Sequence, residues 1–320
     1  MFTITNPGES DITSAAKALF GGALVGIPTE TVYGLAADAE NEAAVARIYS
    51  VKGRPQNHPV IVHIGSVDYL NKWAIKIPDY ALKLAKEYWP GPMTLILERN
   101  ELAKDFITGS QETIGLRIPD HETTLALLEE FHKLGGNGIA APSANRFGAV
   151  SPTNAKAVQS ELGEFLDQSR DLIIDGGQSL VGVESTIIDC TSEFPMILRP
   201  GAITEEMIMV TTRLNTKLEY QPKMRVSGSL DQHYSPKAKI LLSGDASLGD
   251  GFIALDVLDT PGGAVRLASP KTLEEFARSL YAAMRDADER GISRIVVILP
   301  EGDGLAIAIR DRLNRAAWKL

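Results

Sequence analysis

Cysteine is nearly absent. Cys190 is the only one in 320 residues, which excludes an intramolecular disulfide and a thiolate zinc cluster. The five histidines lie far apart and no His-Glu-x-x-His occurs, so no protein-built metal site is expected. Long apolar runs are missing as well: no stretch approaches the ~18 apolar residues of a membrane span. The first residues, MFTITNPGESD, lack the basic start and apolar core of a secretory signal. These absences lead us to expect a cytoplasmic protein. Positive charge is also short. A net charge of -9 and a pI near 5.2 argue against a chain-wide grip on nucleic-acid phosphates, while leaving room for a local basic pocket. There is no Gly-x-x-x-x-Gly-Lys-Ser/Thr loop and no Gly-x-Ser-x-Gly elbow. Gly136-Asn137-Gly138-Ile139-Ala140-Ala141 fits Gly-x-Gly-x-x-Ala by letters, but it precedes a strand instead of following one, so a dinucleotide fingerprint is rejected.

What is present describes a globular chain. Apolar residues make up 44% and charged residues 23%, and the length suits two domains. Short apolar runs alternate with helix-like segments, which reads as α/β. Strands are predicted at 23–28, 60–64, 94–98, 114–118, 139–141, 172–175, 186–189 and 196–198. Helices are predicted at 41–51, 78–89, 123–133, 153–162 and 204–211, with Asn41 and Thr204 as N-caps. Residues 215–236 are polar and aperiodic and read as a linker, longer than an idle connection requires. A second α/β unit follows, with strands at 239–242, 252–255, 264–267 and 294–299 and helices at 271–290 and 305–318. Leu273, Phe276, Leu280, Ala283 and Met284 share one face of the first of these helices, and Thr272 with Glu275 suits a capping box.

Five stretches carry chemically useful side chains. Pro28-Thr29-Glu30-Thr31-Val32-Tyr33-Gly34 places hydroxyls and a carboxylate just past a buried strand, where open α/β sheets bind ligands; an ordinary polar turn is the plain alternative. Lys52-Gly53-Arg54-Pro55-Gln56-Asn57-His58 sets two cations along one loop edge, suited to a polyphosphate or simply to a solvated helix end. His63 follows in a strand and is expected to face away from Ile61. In 113–117, Thr113, Gly115 and Arg117 share a strand face, and a carboxylate is the natural partner for the arginine fork. Ala141-Pro142-Ser143-Ala144-Asn145-Arg146-Phe147-Gly148-Ala149-Val150-Ser151 is small and hydroxyl-rich and leads into a helix expected near Thr153, whose free N–H groups favour an anion. Glu184-Ser185-Thr186 and Arg199-Pro200-Gly201 flank two further strands.

Taken in order, PTETVYGLA, KGRPQNHPVIVHI, WPGPMTLIL, TIGLRIP, APSANRFGAVSPT, GVESTIID and ILRPG resemble the YrdC-like domain over roughly residues 11 to 211. The linker, with His233-Tyr234-Ser235-Pro236, and the C-terminal unit resemble the two-domain branch of the YrdC/Sua family, the threonylcarbamoyl-AMP synthases. The resemblance implies a twisted mixed sheet with an open concave groove in residues 1–212, a linker or lid in 213–236, and a small Rossmann-like α/β domain in 237–320. It implies synthesis of threonylcarbamoyl-AMP and pyrophosphate from L-threonine, bicarbonate and ATP. A separate transferase complex would then pass the threonylcarbamoyl group to tRNA. By the same resemblance Thr31, His63, Arg117, Ala141 and Ser185 hold threonine. Arg54, His58, Thr113, Ser143, Ser151, Arg199 and Tyr234 contact ATP, with Lys52 and Arg54 catalytic. ATP is a substrate, and any Mg²⁺ is carried by it. Two rivals share the domain. One is a non-catalytic double-stranded RNA or tRNA-binding module, which the net charge of -9 weighs against. The other is the carbamoyl-transfer enzyme of hydrogenase maturation, whose zinc-finger cysteines a single cysteine excludes.

Overall fold

A computed structural model describes residues 2–219, 224–226, 228 and 234–317. His233, residues 220–223, 227 and 229–232 of the expected linker, and position 318 of the expected last helix lie outside the described residues.

The first unit is built on a twelve-stranded mixed sheet. Its strands run in the order Phe2–Thr5, Leu172–Asp175, Val25–Ile27, Gly34–Asp38, Ile139–Ala140, Ile61–His63, Thr113–Arg117, Met93–Arg99, Thr186–Asp189, Met196–Arg199 and Lys217–Leu218; Ala74–Ile75 pairs with Met93–Arg99 off this path. Parallel and antiparallel neighbours alternate irregularly. Ile61–His63 is parallel to Thr113–Arg117 and antiparallel to Ile139–Ala140. The edge strand Lys217–Leu218 pairs with Met196–Ile197 inside the stretch read from the sequence as linker. The strands are short and mostly apolar, so the sheet is covered on both faces. Helix Glu42–Lys52 is capped by Asn41, which accepts from the Ala44 N–H at 3.1 Å. Helix Ala155–Leu162 is capped by Asn154 through the Ala157 N–H, so it begins after the position expected at Thr153.

The second unit is a four-stranded, wholly parallel sheet ordered Lys239–Leu241, Arg294–Val297, Gly251–Ile253, Val265–Ala268. Parallel strands need crossovers, and helix Leu273–Glu289 carries the chain from Val265–Ala268 past Gly251–Ile253 to Arg294–Val297. Thr272 accepts from the Glu275 N–H at 3.2 Å, but the Glu275 carboxylate reaches the Lys271 N–H at 2.7 Å instead of that of Thr272, so the capping box is displaced by one residue. Phe276, Leu280 and Met284 bury the expected helix face. They share a core with Val32, Val150 and Val183 of the first unit. The two units therefore meet through apolar side chains beside the loops singled out above.

Candidate functional site

The strand ends bring the cationic and hydroxylic side chains together. His63 and Arg117 are register partners on parallel strands and stand side by side. Both line one cavity, together with Ile61. This corrects the expectation that His63 faces away from Ile61: residues two apart in a strand share a face, and it is Val62 that enters the core. Burial pushes His63 down to about 3, the Arg117 charge adding to it against a smaller opposing effect of the Ile61 backbone, so the ring is a neutral imidazole at physiological pH. Arg117 Nε donates to the Gly91 carbonyl at 3.3 Å. Its Nη2 lies 2.7 Å from Glu30 Oε1.

Lys52 and Arg54 line the same cavity. Lys52 ends its helix, and Gly53 follows at φ 62°, a left-handed cap that glycine adopts without a Cβ penalty. That turn carries Arg54 into the same wall. Lys52 Nζ donates to the carbonyls of Ser143 at 2.5 Å and Asn145 at 2.6 Å, tying the small-residue loop down. Arg54 Nη2 donates to the Pro59 carbonyl at 2.8 Å, and its guanidinium lies 5.8 Å from the Phe147 ring centre. Arg199 donates from Nε and Nη2 to the Ser185 carbonyl at 3.0 and 2.8 Å, and from Nη2 to the Ser185 hydroxyl at 3.0 Å. Burial lowers Lys52 well below its ordinary value, with Arg54 adding to the effect. Burial also brings Arg54 to about 10, Tyr49 and Tyr234 opposing and Arg199 assisting. Arg199 is lowered chiefly by burial as well. Crowded, desolvated cations of this kind bind an anion strongly.

The linker contributes to the cavity wall, and the second unit packs behind it. Tyr234 and Gly228 form part of its lining, and Tyr234 sits at φ 63°, uncommon for an aromatic residue. Its ring stacks on Tyr281 with centres 5.7 Å apart and lies 5.5 Å from the Arg312 guanidinium. Burial raises the Tyr234 hydroxyl to about 12, Glu184 acting in the same direction. Glu184, also on the wall, accepts from Ser151 Oγ at 2.6 Å, Tyr281 Oη at 2.9 Å and Arg312 Nε at 2.8 Å. Burial alone would raise its carboxyl, but Arg312, Arg199 and these hydrogen bonds outweigh it and hold the group at about 2. The free space among these side chains is about 40 Å³. That holds only a few waters, so the expected open groove is largely filled by its own side chains in this state.

Thr31, Ala141, Ser143 and Ser185 complete the wall. Three residues expected at the site stand off it. His58 is half-buried behind Phe147, their rings edge-on at 5.5 Å. Thr113 begins the strand that Arg117 ends, about 13 Å away along the chain. Ser151 is buried and faces Glu184. Sequence reasoning missed Thr29, Phe147 and Glu184 on the wall and Glu30 against Arg117. The available signal was their position inside the stretches already singled out.

Fold and site together define a YrdC-like α/β protein whose cavity wall is backed by a second α/β domain through Tyr281 and Arg312. Residues 17–201 match the family described as "Telomere recombination", and residues 203–318 match "Threonylcarbamoyl-AMP synthase, C-terminal domain". The threonylcarbamoyl-AMP synthase of Pyrococcus abyssi is 36% identical over 337 residues, covering 97% of this chain and 94% of the relative. That of Bacillus subtilis is 35% identical, covering 97% and 93%. The crystal structure of P. abyssi Sua5 complexed with L-threonine superposes with a TM-score of 0.88 at 35% identity, over 99% of this chain and 97% of that one. The chain belongs to the threonylcarbamoyl-AMP synthase family.

Proposed function

We propose that this chain is a nucleotidyltransferase that converts L-threonine, bicarbonate or CO₂, and ATP into threonylcarbamoyl-AMP and pyrophosphate. One observation carries the reading: a single cavity gathers two sets of side chains, Lys52, Arg54 and Arg199, and Arg117 with a neutral His63. A triphosphate suits the first group and an amino-acid carboxylate the second. Arg117, His63, Thr31, Ala141 and Ser185 are assigned to threonine. Lys52, Arg54, Ser143, Arg199 and Tyr234 are assigned to ATP. His58, Thr113 and Ser151 keep that assignment only if the wall opens toward them.

The chemistry asks for little from the protein beyond placement. The threonine amine takes up CO₂ to give a carbamate. A carbamate oxygen attacks the α-phosphorus, and pyrophosphate leaves with its charge held by Lys52 and Arg54. Among the described residues no group of three His, Cys, Asp or Glu side chains could hold a metal. Mg²⁺ would accordingly arrive with the phosphates. ATP cannot occupy about 40 Å³, so residues 213–236 act as a lid between a catalytic unit (1–212) and the C-terminal unit (237–320). Tyr234 must swing away for binding and return to exclude water from a labile adenylate. No helix among the described residues is long and apolar enough to cross a membrane. We place the reaction in the cytoplasm, where a downstream transferase complex would pass the threonylcarbamoyl group to tRNA. Pyrophosphate release is the test, with threonine, bicarbonate and ATP omitted one at a time. Each omission is expected to abolish it. Salt-dependent RNA binding without any such release would favour the RNA-binding alternative instead.

A further inference from the structure

Glu184 lines the cavity and Glu30 touches Arg117 on its wall; the two carboxylates differ in one respect. Glu184 is saturated by Ser151, Tyr281 and Arg312. Glu30 is only 4% exposed, yet neither of its oxygens accepts an aligned hydrogen bond. Its contact is the 2.7 Å approach to Arg117 Nη2, which is close enough for an ion pair but has its N–H turned off the oxygen. Thr29 and Thr31, its neighbours in the chain, both line the cavity. A buried carboxylate with idle acceptors is costly, and native structures seldom keep one without a use for it.

We propose that Glu30 receives the α-ammonium of the amino-acid substrate and takes a proton from it while Arg117 holds the carboxylate. The inference rests on the threonine-binding reading above and adds the residue that the amine requires. An α-amino acid carries its cation and anion on one carbon, and a guanidinium beside a carboxylate presents the complementary pair at matching range. The ammonium is a three-proton donor and Glu30 is acceptor-only, so the orphaned oxygens find partners when substrate arrives. The other groups are poorer partners. His63 Nδ1 also lacks a partner, but an uncharged imidazole holds an ammonium less strongly than a carboxylate does. Lys52 is a donor already committed to two carbonyls. Glu184 is committed to three donors.

The proton has to move before carbon does. An ammonium has no lone pair, so one N–H proton passes to a Glu30 oxygen and the freed pair forms the C–N bond to CO₂. Bicarbonate supplies that CO₂ by releasing hydroxide, and the hydroxide removes the second nitrogen proton as water. In total, ammonium, bicarbonate and the Glu30 carboxylate give carbamate, water and the Glu30 carboxylic acid, which then loses its proton to solvent.

The test compares L-threonine with (2S,3R)-2,3-dihydroxybutanoate, which has a hydroxyl in place of the ammonium. Binding of each is measured calorimetrically on the full chain, alongside threonine-dependent pyrophosphate release. Wild-type protein should prefer threonine by about 100-fold. Glu30→Gln should raise the threonine KM roughly 10- to 100-fold and reduce that preference to a few-fold, with the ATP KM little changed. Glu30→Asp, which keeps the charge, should retain most of the preference. The proposal is overturned if Glu30→Gln keeps the wild-type preference. It is equally overturned if Glu30→Gln and Glu30→Asp both lose threonine and ATP affinity in parallel. Pyrophosphate release by wild-type protein without threonine would instead overturn the reading beneath it.

Discussion

Replacing Arg312 by Met should cost the protein several kcal/mol, and the structure gives two routes to the figure. Arg312 is fully buried, and its Nε lies 2.8 Å from a Glu184 oxygen that is itself buried. Removing one partner of such a pair leaves an uncompensated charge, at about 3–5 kcal/mol. The second route is proton linkage. The Glu184 carboxyl is held at about 2 against an ordinary 4.5. At about 1.4 kcal/mol per pH unit this corresponds to about 3 kcal/mol, shared among Arg312, Arg199 and the Ser151 hydrogen bond with Arg312 the largest contributor. The folded value lies below the unfolded one, so the contribution is complete above about pH 4.5 and disappears as pH falls toward 2. The assay is urea unfolding of wild type, Arg312→Met, Glu184→Gln and the double variant at pH 7 and pH 3. Arg312→Met should lose about 3–5 kcal/mol at pH 7, and less at pH 3; Glu184→Gln should lose about 1–3 kcal/mol, because Arg312 keeps Asp311 at 2.6 Å. The double variant should lose less than the sum, because two uncharged side chains no longer leave a lone charge buried. Single variants within about 0.5 kcal/mol of wild type, or strict additivity, would refute the reasoning.

Lys52 and Arg54 should separate by what they hold. Arg54→Ala should lower kcat/KM for pyrophosphate release about 100-fold or more with a small change in stability. Lys52→Ala should do the same and also cost about 2–4 kcal/mol, since two buried carbonyls, of Ser143 and Asn145, lose their donor. His63 should make the protein acid-sensitive. It stays neutral in the fold down to about 3, while the unfolded chain takes a proton below about 6.5. Wild type should therefore lose about 2 kcal/mol from this group between pH 6.5 and 5, a loss absent from the urea midpoints of His63→Asn. Tyr234→Ala should uncover the cavity, so that less intact adenylate is recovered per pyrophosphate released; a ratio equal to that of wild type would count against the lid.

The site was more legible than its wiring. Arg117 could be placed in a groove because strand alternation fixes faces locally, and the Lys52-Gly53-Arg54 turn declared its cations in three residues. The Glu184 network could not be read, because Tyr281 and Arg312 lie 97 and 128 residues further along the chain. Strand Gly34–Asp38 escaped notice because Gly-Leu-Ala-Ala-Asp has weak strand propensity and pairs on both edges only in the folded sheet. Helix Glu9–Phe20 was overlooked although Ile12, Ala15, Ala16 and Leu19 recur at helical spacing, the alanines being too small to stand out. Closure of the cavity was likewise illegible, since it depends on where Tyr234 docks against the second domain.

The central claim is that one cavity joins an amino acid, a one-carbon unit and a nucleotide. The most direct measurement is mass spectrometry of the adenylate formed from ¹³C-bicarbonate, threonine and ATP. The expected product is a threonylcarbamoyl-AMP that carries the heavy carbon and disappears with Arg117→Ala. An adenylate without that carbon, or undiminished product from Arg117→Ala, would contradict it.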